Sequence, residues 1–510
     1  MIAVIDFGSQ LTHLIARRLR ALGVHSEVFP NDVNTAELKK ADPTGIVLSG
    51  GPSSVYAKNA PSIDPKLLDI GKPVLGICYG QQLMVKLLGG VVERGENGQY
   101  GKELVTNVGR GKLLNGLPGE HVVWFSHGDM VKELPRGFES VGKTGKYGFA
   151  AVEDRNRNLF GLQFHPEVTH TERGTSILQN FALKVCNDPA DWTVEHAHEH
   201  IIDHLKQSLT KGDVLVAVSG GVDSTVAATL LHEAVPERLH AVFVDTGLLR
   251  KDESREVVET FRQQGLKDFR KVDASKIFLQ KLAGVSDPEE KRKIIGHAFI
   301  DVFEKEAAKI SKKAEVKYLA QGTIYPDRIE SAKPSKHATK IKSHHNVTLP
   351  ETLKLDVVEP LAELYKDEVR TLGLQLGLPE HLIGRHPFPG PGLGIRVLGP
   401  VTKERVKVLQ EADAIYIQEL RSAGLYDKIW QAFAALFPVK SVGVMGDTRT
   451  YEDIISLRAV NSIDGMTADW FYMPQDVLER VSSRIVNEVK GVNRVVYDVT
   501  QKPPGTIEYE

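Results

Sequence analysis

Short apolar segments that alternate with helical patterns constrain the fold of this chain more than any other feature. In the first part of the sequence, candidate strands cover residues 2–6, 45–48, 73–77 and 159–164. Alternation of this kind is typical of a parallel sheet whose strands are joined by crossover helices. We therefore predict an α/β domain over residues 1–187, and we expect its ligands at the carboxyl ends of the strands.

A second domain of the same class begins after a break in the pattern. Residues 187–191 read Asn-Asp-Pro-Ala-Asp, a sequence typical of a turn or linker. The segments that follow are a helical stretch at 193–209, strands at 214–218, 239–244 and 316–320, and a helix at 291–311. Their order predicts a second parallel-sheet α/β domain over residues 192–385.

A run rich in proline and glycine marks the second predicted boundary. Residues 387–394 read Pro-Phe-Pro-Gly-Pro-Gly-Leu-Gly. We expect no regular secondary structure there, because proline lacks an N–H donor and glycine is conformationally permissive. Beyond it, strands are predicted at 441–445 and 494–498, with helices between them. We therefore predict a small α+β domain over residues 386–510, the last of about three domains.

Composition narrows the functional classes. The chain is 41% hydrophobic and 25% charged, which is ordinary for a globular protein, and its formal net charge of −2 provides no general basic field for nucleic acid. No apolar run of about 18 residues occurs, so no membrane span is expected, and no signal-peptide pattern is evident. The two cysteines, Cys78 and Cys186, exclude a disulfide framework. We therefore expect a cytoplasmic protein in which Cys186 is a packed thiol.

Cys78 lies in a turn that is typical of a catalytic nucleophile. The sequence Gly76-Ile77-Cys78-Tyr79-Gly80 follows an apolar strand and precedes a predicted helix, as in the nucleophile elbow of hydrolases. At the N-terminus of a helix, the dipole favours the thiolate. Taken alone, a cysteine in this setting is more often a buried apolar residue.

A base and an oxyanion site follow other predicted strands of the same sheet. His165 can accept the thiol proton, and Glu167 can orient the imidazole. The turn at residues 49–52, Ser-Gly-Gly-Pro, offers unhindered backbone N–H groups to an oxyanion. A structural role is the more common one for each feature alone. Because the carboxyl ends of the strands meet at one sheet edge, the combination favours a joint catalytic site.

These motifs together resemble the class I (triad) glutamine amidotransferases. The matching segments are Gly-Ile-Cys-Tyr-Gly-Gln-Gln at 76–82, His-Pro-Glu at 165–167 and Ser-Gly-Gly-Pro at 49–52. The resemblance implies that glutamine is hydrolysed through a thioester and that ammonia is released. The roles it implies are Cys78 as nucleophile, His165 as base, Glu167 as orienting residue, the backbone of Gly51 and Tyr79 as oxyanion hole, and Gln82, Ser126 and His127 as glutamine contacts.

A glycine-rich turn in the second domain is predicted to bind phosphate. Residues 219–224 read Ser-Gly-Gly-Val-Asp-Ser and lie between a strand and a helix that is expected to start near Thr225. Successive N–H groups in such a turn form an anion site, which the helix dipole supports. The turn contains no lysine and is therefore not a Walker A loop. A glycine-rich turn alone is weak evidence for a nucleotide site.

The turn resembles the pyrophosphate loop of the N-type ATP pyrophosphatases, which transfer AMP to an acceptor oxygen. The resemblance implies ATP binding by Ser219, Gly220, Gly221, Val222, Asp223, Ser224, Thr225 and Val244. Asp223 is also the candidate Mg²⁺ ligand, although an aspartate at this position can equally cap the helix. A literal Walker A match at residues 137–144 is discounted, because Pro135 and the glycines that follow do not fit a strand and a helix.

Further segments extend a resemblance to one family of purine nucleotide amidotransferases nearly from end to end. They lie at 244–250, 323–327, 342–347, 385–394, 443–447, 490–498 and 502–508. The resemblance implies that XMP is adenylated at its C2 oxygen and that ammonia then displaces AMP to give GMP. It also implies XMP contacts from Arg292, Lys342, Lys502, Ile507 and Glu508, Mg²⁺ with ATP, no organic prosthetic group, and a homodimer formed through the C-terminal domain.

A basic segment is the predicted lid of the nucleotide site. Residues 331–350 contain four lysines and three histidines and no acidic residue. Such a segment can close over nucleotides and exclude water from an adenylate. Read without the resemblance, it is a solvated or RNA-contacting loop. Within it, Thr348 replaces two glycines that are usual in the family.

Two other functions are open on the residues alone. A tRNA-modifying adenylating enzyme uses a similar phosphate loop, but the net charge of −2 and the lack of cysteines after Cys186 disfavour it. A non-catalytic sensor of glutamine or nucleotide would not need a complete triad. In the helix at 193–209, His196, His200 and His204 share one face at a spacing that suits zinc, although a solvated linker helix is the simpler interpretation.

Overall fold

The computed structural model describes residues 1–109, 111–325, 355–445, 447–462 and 467–510, and only the backbone of residues 96, 97 and 445. It separates into two compact units, Met1–Ala197 and His198–Glu510. The division falls within the helix Val194–Ser208, which confirms the helix predicted at 193–209. The domain boundaries drawn from the sequence stay predictions.

The first unit contains one mixed sheet. Its strands are β1 (Ile2–Asp6), β2 (Ser26–Pro30), β3 (Gly45–Leu48), β4 (Val74–Ile77), β5 (Val91–Asn107), β6 (Glu120–Glu133), β7 (Glu139–Lys143), β8 (Ala151–Asp154) and β9 (Leu159–Leu162). They lie in the order β2-β1-β3-β4-β9-β8-β7-β5-β6. The neighbours from β2 to β9 are parallel, and those from β9 to β6 are antiparallel. All residues of β3, β4 and β9 are buried, as expected for strands covered on both faces.

The α/β class is confirmed, and the sheet is wider than the sequence pattern predicts. The four predicted strands are present, although β9 ends at Leu162. The prediction missed β2 and the antiparallel strands β5 to β8. In β6, buried and exposed residues largely alternate, because one face of the strand is solvated. A strand of this kind lacks the continuous apolar run by which the parallel strands were recognised.

Helices cover the parallel strands of this unit, and the second cysteine lies in the core. The helices are α1 (Thr12–Arg20), α2 (Thr35–Ala41), α3 (Tyr79–Leu87) and α4 (Gly174–Gln179), and α5 (Val194–Ser208) contains the division between the units. The sulfur of Cys186 occupies the space beside Gly45, where any larger residue would overlap with it. Burial, together with the charge of Asp188, raises the pKa of the Cys186 thiol. Cys186 is thus the packed thiol that was predicted.

The second unit begins with a parallel sheet. Its strands are β10 (Asp213–Val218), β11 (Leu239–Asp245), β12 (Asp268–Asp273), β13 (Val316–Ala320) and β14 (Asp356–Val358), in the order β12-β11-β10-β13-β14. The three predicted strands are confirmed. The prediction missed β12 and β14, because β12 is rich in charged residues and β14 has only three residues.

Helices alternate with these strands, as the pattern predicts. They are α6 (Val222–Ala234), α7 (Glu253–Gln263), α8 (Ser275–Lys281), α9 (Pro288–Ser311), α10 (Lys366–Gln375) and α11 (Glu380–Ile383). Helix α9 begins before the predicted residue 291. Its start carries the local signals of a helix N-terminus: the side chain of Asp287 accepts from the N–H of Glu290, and Pro288 occupies the first turn.

The unit continues with a small sheet and two long helices. The elements are α12 (Lys403–Ser422), β15 (Gln431–Met445), β16 (Thr448–Asn461), β17 (Asp469–Trp470), α13 (Gln475–Glu488) and β18 (Val492–Tyr497). β16 pairs antiparallel with β15 and β17 and parallel with β18. These elements confirm the α+β character that was predicted for residues 386–510.

One hydrophobic core joins both sheets of the second unit. It includes Leu215 of β10, Phe303 of α9 and Leu457 of β16. The segment predicted to be irregular, 387–394, enters this core, where Gly392–Ile395 form a 3-10 turn. The expectation of no regular structure is therefore wrong at the end of that segment. The reason is tertiary: the N–H of Leu393 donates to Leu248 O at 2.7 Å, and Gly392 leaves room for that carbonyl.

Two exclusions made from the sequence are consistent with the structure. Residues 139–143 of the Walker-like match form strand β7, so the match does not lie between a strand and a helix. In the described part of the chain, no helix combines the length and the apolar character that a membrane crossing requires.

Candidate active sites

Cys78 lies at the junction of β4 and α3, in a strained turn. Its φ of 53° and ψ of −105° are outside the favoured regions for a residue with a side chain. Backbone hydrogen bonds hold the turn: the Cys78 N–H donates to Leu162 O at 2.7 Å, and the Gly80 N–H donates to Ser49 O at 3.0 Å. The thiol is therefore fixed at the carboxyl edge of the parallel strands. Its sulfur lies 3.8 Å from the carbonyl oxygen of Ser126.

Glycines on both sides of Cys78 make this turn possible. A Cβ at Gly76 would lie 2.6 Å from the N of Gln81, and a Cβ at Gly80 would overlap with the carbonyl of Leu48. No side chain fits at either position without moving the backbone. The Gly-X-Cys-X-Gly pattern therefore reflects close packing of Gly76 against the start of α3 and of Gly80 against strand β3.

His165 connects the thiol to a buried carboxylate. Its Nδ1 lies 2.7 Å from Glu167 Oε1, and its side chain is hydrogen-bonded to Cys78. Burial alone would lower the pKa of His165, but the charge of Glu167 and the hydrogen bonds with Cys78 and Glu167 raise this pKa well above its ordinary value. The geometry thus favours an imidazolium, the form that stabilises a neighbouring thiolate.

The loop after β9 orients this histidine through its backbone. The His165 N–H donates to Trp124 O at 3.0 Å, and the Thr171 hydroxyl donates to His165 O at 2.6 Å. Arg18 of α1 donates from Nε to the carbonyl of Glu167 at 3.0 Å. The sequence pattern did not reveal Thr171 or Arg18, because they act through backbone groups and belong to no motif.

A second histidine is buried near the thiol site, and its pKa is shifted in the opposite direction to that of His165. His127 Nδ1 lies 2.6 Å from Asp129 O, and its Nε2 has no hydrogen-bond partner among the described residues. Burial lowers the pKa of His127 to about 4, and the neighbouring His165 contributes in the same direction. Gln82 Nε2 donates to the same Asp129 carbonyl at 2.8 Å. The structure thus brings Gln82, Ser126 and His127 together around the elbow, and their contacts with glutamine stay a prediction.

The 49–52 turn lies beside the elbow. A Cβ at Gly50 would lie 3.0 Å from His165 Cε1 and 3.9 Å from Cys78 Cβ. At Gly51 it would lie 3.3 Å from the ring of Tyr79. Within the described residues, the backbone N–H groups of Gly51 and Tyr79 donate to no protein acceptor. These two groups are therefore available to an oxyanion.

The phosphate loop of the second unit is shorter than predicted. Helix α6 starts at Val222 rather than near Thr225, and Gly221 is its N-terminal cap. The Ser219 and Ser224 hydroxyls lie 3.0 Å apart, and the Gly221 N–H donates to Ser219 Oγ at 3.3 Å. The serine oxygens thus lie where the loop N–H groups converge, which is the arrangement expected of an anion site.

Asp223 lies in the first turn of α6 and does not cap the helix, which excludes that alternative. Lys366, the first residue of α10, places its Nζ 2.6 Å from both carboxylate oxygens of Asp223. Val244 is buried at the carboxyl end of β11, next to the strand that leads into the loop. Among the described residues, no group of three His, Cys, Asp or Glu side chains forms a metal site. The predicted ATP residues therefore converge, and a lysine that the sequence pattern did not indicate joins them.

Two buried arginines hold the tail that contains Glu508. Arg396 forms two hydrogen bonds with the Glu508 carboxylate, at 3.0 Å and 2.7 Å, and Gln431 donates to the same carboxylate at 2.7 Å. Arg458 donates to the carbonyls of Thr500 and Thr506. Both guanidinium groups are fully buried, so the tail is part of the core of its unit.

The remaining XMP candidates are partly brought together. Ile507 packs in a small apolar cluster with Phe433 and Val460. Lys502 pairs with Ala468 through backbone hydrogen bonds at 2.8 Å and 3.0 Å. Arg292 donates to the carbonyl of Glu510, so it lies against the same tail. Lys342, together with Thr348 and the basic segment 331–350, lies outside the described residues.

The chain is similar to known proteins along its whole length. The glutamine amidotransferase class-I family model matches residues 3–185, and the GMP synthase C terminal domain model matches residues 418–509. A GMP synthase (glutamine-hydrolyzing) from Brachyspira hyodysenteriae is 50% identical over 510 residues, which are 100% of this chain and 99% of that protein.

Two further relatives carry the same name. The protein from Carboxydothermus hydrogenoformans and the protein from Aquifex aeolicus are each 52% identical over 510 residues, with 100% of this chain and 99% of each relative covered. Because identity of this level extends over both units, the chain belongs to the family of glutamine-hydrolysing GMP synthases.

Proposed function

We propose that this chain makes GMP from XMP, ATP and glutamine, with one reaction centre in each unit. The observation that carries the proposal is the position of His165, which is hydrogen-bonded to Glu167 and interacts with the Cys78 thiol. This arrangement supplies a nucleophile, a proton carrier and an orienting carboxylate. The phosphate loop and the tail of the second unit, together with family membership, support the nucleotide half of the proposal.

In the first centre, the Cys78 thiolate attacks the side-chain carbonyl carbon of glutamine. The oxyanion that forms is stabilised by the N–H groups of Gly51 and Tyr79. His165 then gives its proton to the departing ammonia, which leaves a thioester. Water, activated by His165, hydrolyses the thioester and releases glutamate, so that one glutamine and one water yield one glutamate and one ammonia.

In the second centre, the C2 oxygen of XMP attacks the α-phosphorus of ATP and pyrophosphate leaves. Ammonia then attacks C2, AMP leaves with the oxygen, and GMP remains. The loop N–H groups and the hydroxyls of Ser219 and Ser224 bind the pyrophosphate part of ATP. Glu508, which Arg396 fixes in direction, contacts the purine base, and Arg292 and Lys502 contact the XMP phosphate.

Asp223 is the side chain that would hold the Mg²⁺ that accompanies ATP. Magnesium is usually bound by one or two carboxylates together with phosphates and water, so a single carboxylate beside the loop suits the ion. The metal would neutralise part of the negative charge of the phosphates. Lys366 balances the charge of Asp223. When ATP binds, this ammonium is close enough to the loop to move from Asp223 to a phosphate oxygen.

A homodimer through the C-terminal sheet is part of the proposal. The β15–β16 hairpin exposes apolar side chains: Val442 is 53% exposed, Val444 is 72% exposed and Tyr451 is 57% exposed. Val442 pairs directly with Tyr451 across the strands, and Val444 lies on the same face two residues further. Exposed apolar groups that cluster in this way are typical of interaction surfaces.

Two free cysteines agree with the expected cytoplasmic location.

The proposal is tested with the purified full-length protein. Incubation with ATP, Mg²⁺, XMP and glutamine should yield GMP, AMP, pyrophosphate and glutamate. The Cys78→Ala variant should lose the reaction with glutamine and keep the reaction with added ammonium salt. Cys186→Ala serves as the matched control and should keep both. Loss of both reactions in folded Cys78→Ala protein, or amination of an acceptor other than XMP, would contradict the proposal.

A further inference from the structure

Arg385 lies against the phosphate loop and links it to helix α7. Its Nη1 donates to Gly220 O at 3.4 Å and lies 3.3 Å from Glu253 Oε1, and its Nη2 is paired with Glu256. The side chain is only 17% exposed. Arg385 begins the segment 385–394 of the family resemblance, but the sequence did not indicate its contacts, because its partners are distant in sequence. Arg385 thus contacts the phosphate loop through a backbone carbonyl rather than facing a bound ligand.

The carbonyl that Arg385 contacts belongs to the peptide that carries the Gly221 N–H. In a planar trans peptide, the C=O and the N–H of one unit point in opposite directions. Anchoring Gly220 O on one side therefore fixes the Gly221 N–H on the other side, where it faces the Ser219 hydroxyl at 3.3 Å. This N–H is the donor at the cap of α6, where the helix dipole favours an anion.

This peptide needs an anchor because it joins two glycines. Gly220 has a φ of +81°, a conformation that glycine adopts freely but can also leave freely. On the side of α7 it is confined, since a Cβ at Gly220 would lie 2.7 Å from Val257 Cγ2. Arg385 supplies the remaining restraint, a hydrogen bond to the oxygen itself.

The acidic partners of Arg385 keep its guanidinium in this position. Glu253 is buried, and its other carboxylate oxygen accepts from the Arg250 N–H at 3.0 Å. Burial raises the pKa of Glu253, and the charge of Arg385 opposes this shift. The guanidinium fork of Arg385 thus reaches two acidic side chains and a carbonyl of the loop.

We propose that Arg385 is a positioning residue for ATP, which orients the Gly220–Gly221 peptide so that the Gly221 N–H faces the nucleotide phosphates. The inference rests on the proposed role of this loop in ATP binding. It does not depend on which acceptor receives AMP.

The test is a comparison of nucleotide binding by full-length variants. The dissociation constant of α,β-methylene-ATP with Mg²⁺ is measured by calorimetry for wild type, Arg385→Lys, Arg385→Ala and Arg262→Ala. Arg262 is the matched control, because it is an exposed arginine of α7 that pairs with Glu259. We expect Arg385→Ala to bind roughly tenfold more weakly or worse, as for a lost hydrogen bond from a charged group. Arg385→Lys should lie in between, and Arg262→Ala should bind like wild type.

Turnover measurements separate positioning from a purely structural role. With saturating XMP and ammonium salt, Arg385→Ala should raise the KM for ATP, leave the KM for XMP within about twofold, and leave glutaminase activity unchanged. Methylguanidinium at low millimolar concentration should restore part of the ATP affinity of Arg385→Ala. Unchanged ATP affinity in Arg385→Ala, or an equal rise in both KM values without rescue, would overturn the inference. If wild type binds the ATP analogue but does not aminate XMP, the proposed function fails and the role of Arg385 is still tested by binding.

Discussion

The guanidinium of Arg396 binds the carboxylate of Glu508 through two hydrogen bonds, from Nε at 3.0 Å and from Nη2 at 2.7 Å. The arginine is fully buried and lies between two aromatic rings, 4.1 Å from the centre of Phe433 and 5.0 Å from that of Phe388. A charge pair in this setting fixes the tail to the core, because the arginine cannot be solvated without opening the core.

Breaking this pair should destabilise the second unit strongly. Arg396→Gln leaves Glu508 without its buried partner, which should cost about 3–5 kcal/mol of unfolding free energy. Lys251→Gln breaks the exposed pair with Glu411 and should cost about 1 kcal/mol or less. Urea unfolding of both full-length variants measures the difference. Equal losses in the two variants would contradict the expected contrast.

The two histidines near Cys78 should influence stability with opposite dependence on pH. Burial would lower the pKa of His165, but Glu167 and Cys78 raise it well above 6.5. The folded state therefore holds this proton more tightly, and the stabilisation is complete below about pH 6.5 and disappears as the pH rises through the folded-state pKa. Burial lowers the pKa of His127 to about 4. Its contribution is therefore intact above about pH 6.5 and is lost as the pH falls towards 4.

This pH prediction is checked by unfolding experiments on single variants. The unfolding free energies of His165→Asn and His127→Asn are compared with that of wild type between pH 4 and pH 9. The deficit in unfolding free energy of His165→Asn relative to wild type should shrink as the pH rises. The unfolding free energy of His127→Asn relative to wild type should increase as the pH falls. Profiles of the same sign for both variants would show that the electrostatic assignment is incorrect.

The elbow glycines should be required for the glutaminase reaction alone. In Gly80→Ala, the new Cβ overlaps with the Leu48 carbonyl, so the thiol must move. A displacement of this kind should reduce glutamine hydrolysis about a hundredfold. Ammonia-dependent GMP formation should persist. Gly145→Ala is the control, because a Cβ at Gly145 meets nothing within 4 Å and the φ of this glycine is not positive. Full glutaminase activity in Gly80→Ala would mean that the turn is not rigid.

Asp223 should set the Mg²⁺ requirement of the adenylation step. Asp223→Asn removes the charge beside the loop, so more Mg²⁺ should be needed for half-maximal pyrophosphate release. Glutamine hydrolysis should be unaffected. Glu259→Gln, an exposed substitution on α7, is the control. If Asp223→Asn and wild type depend on Mg²⁺ in the same way, Asp223 is not a ligand, and the metal is bound by phosphates and water only.

The exposed hairpin should determine the oligomeric state. Introducing like charges with Val442→Lys and Val444→Lys should dissociate the proposed dimer, since both side chains lie on one face of β15. Light scattering after gel filtration reports the mass. Val357→Lys is the control, because Val357 is 57% exposed on β14, a strand of the other sheet. A monomeric wild-type protein, or a dimer that survives both substitutions, would argue against this surface.

The geometry around Cys78 was largely predictable because its signals are local. Cys78 lies in a glycine-flanked turn after a fully buried strand, and His165 lies just beyond another strand of the same sheet. The carboxyl ends of parallel strands meet at one edge, so these short motifs determine the approximate geometry. The start of α6 was misplaced, because Gly221 caps the helix without a side-chain hydrogen bond and leaves no capping signal.

The residues that hold the tail and the loop were not predictable, because their partners are distant in sequence. Arg396 and Glu508 are 112 residues apart, and Arg385 and Gly220 are 165 apart. Lys291 belongs to a run of charged residues that resembles a solvated helix face, yet it is fully buried and donates to Val397 O. The sequence shows which residues of a helix are charged, but only the tertiary fold shows which of these side chains is buried.

The enclosed position of Cys186 gives the protein a practical property. Only a thiolate reacts readily with haloacetamides, and the Cys186 pKa is raised, whereas Cys78 lies beside an imidazolium. Under native conditions, iodoacetamide should therefore modify one of the two cysteines. The number of labels incorporated per chain then measures the fraction of chains in a preparation that have a reactive Cys78.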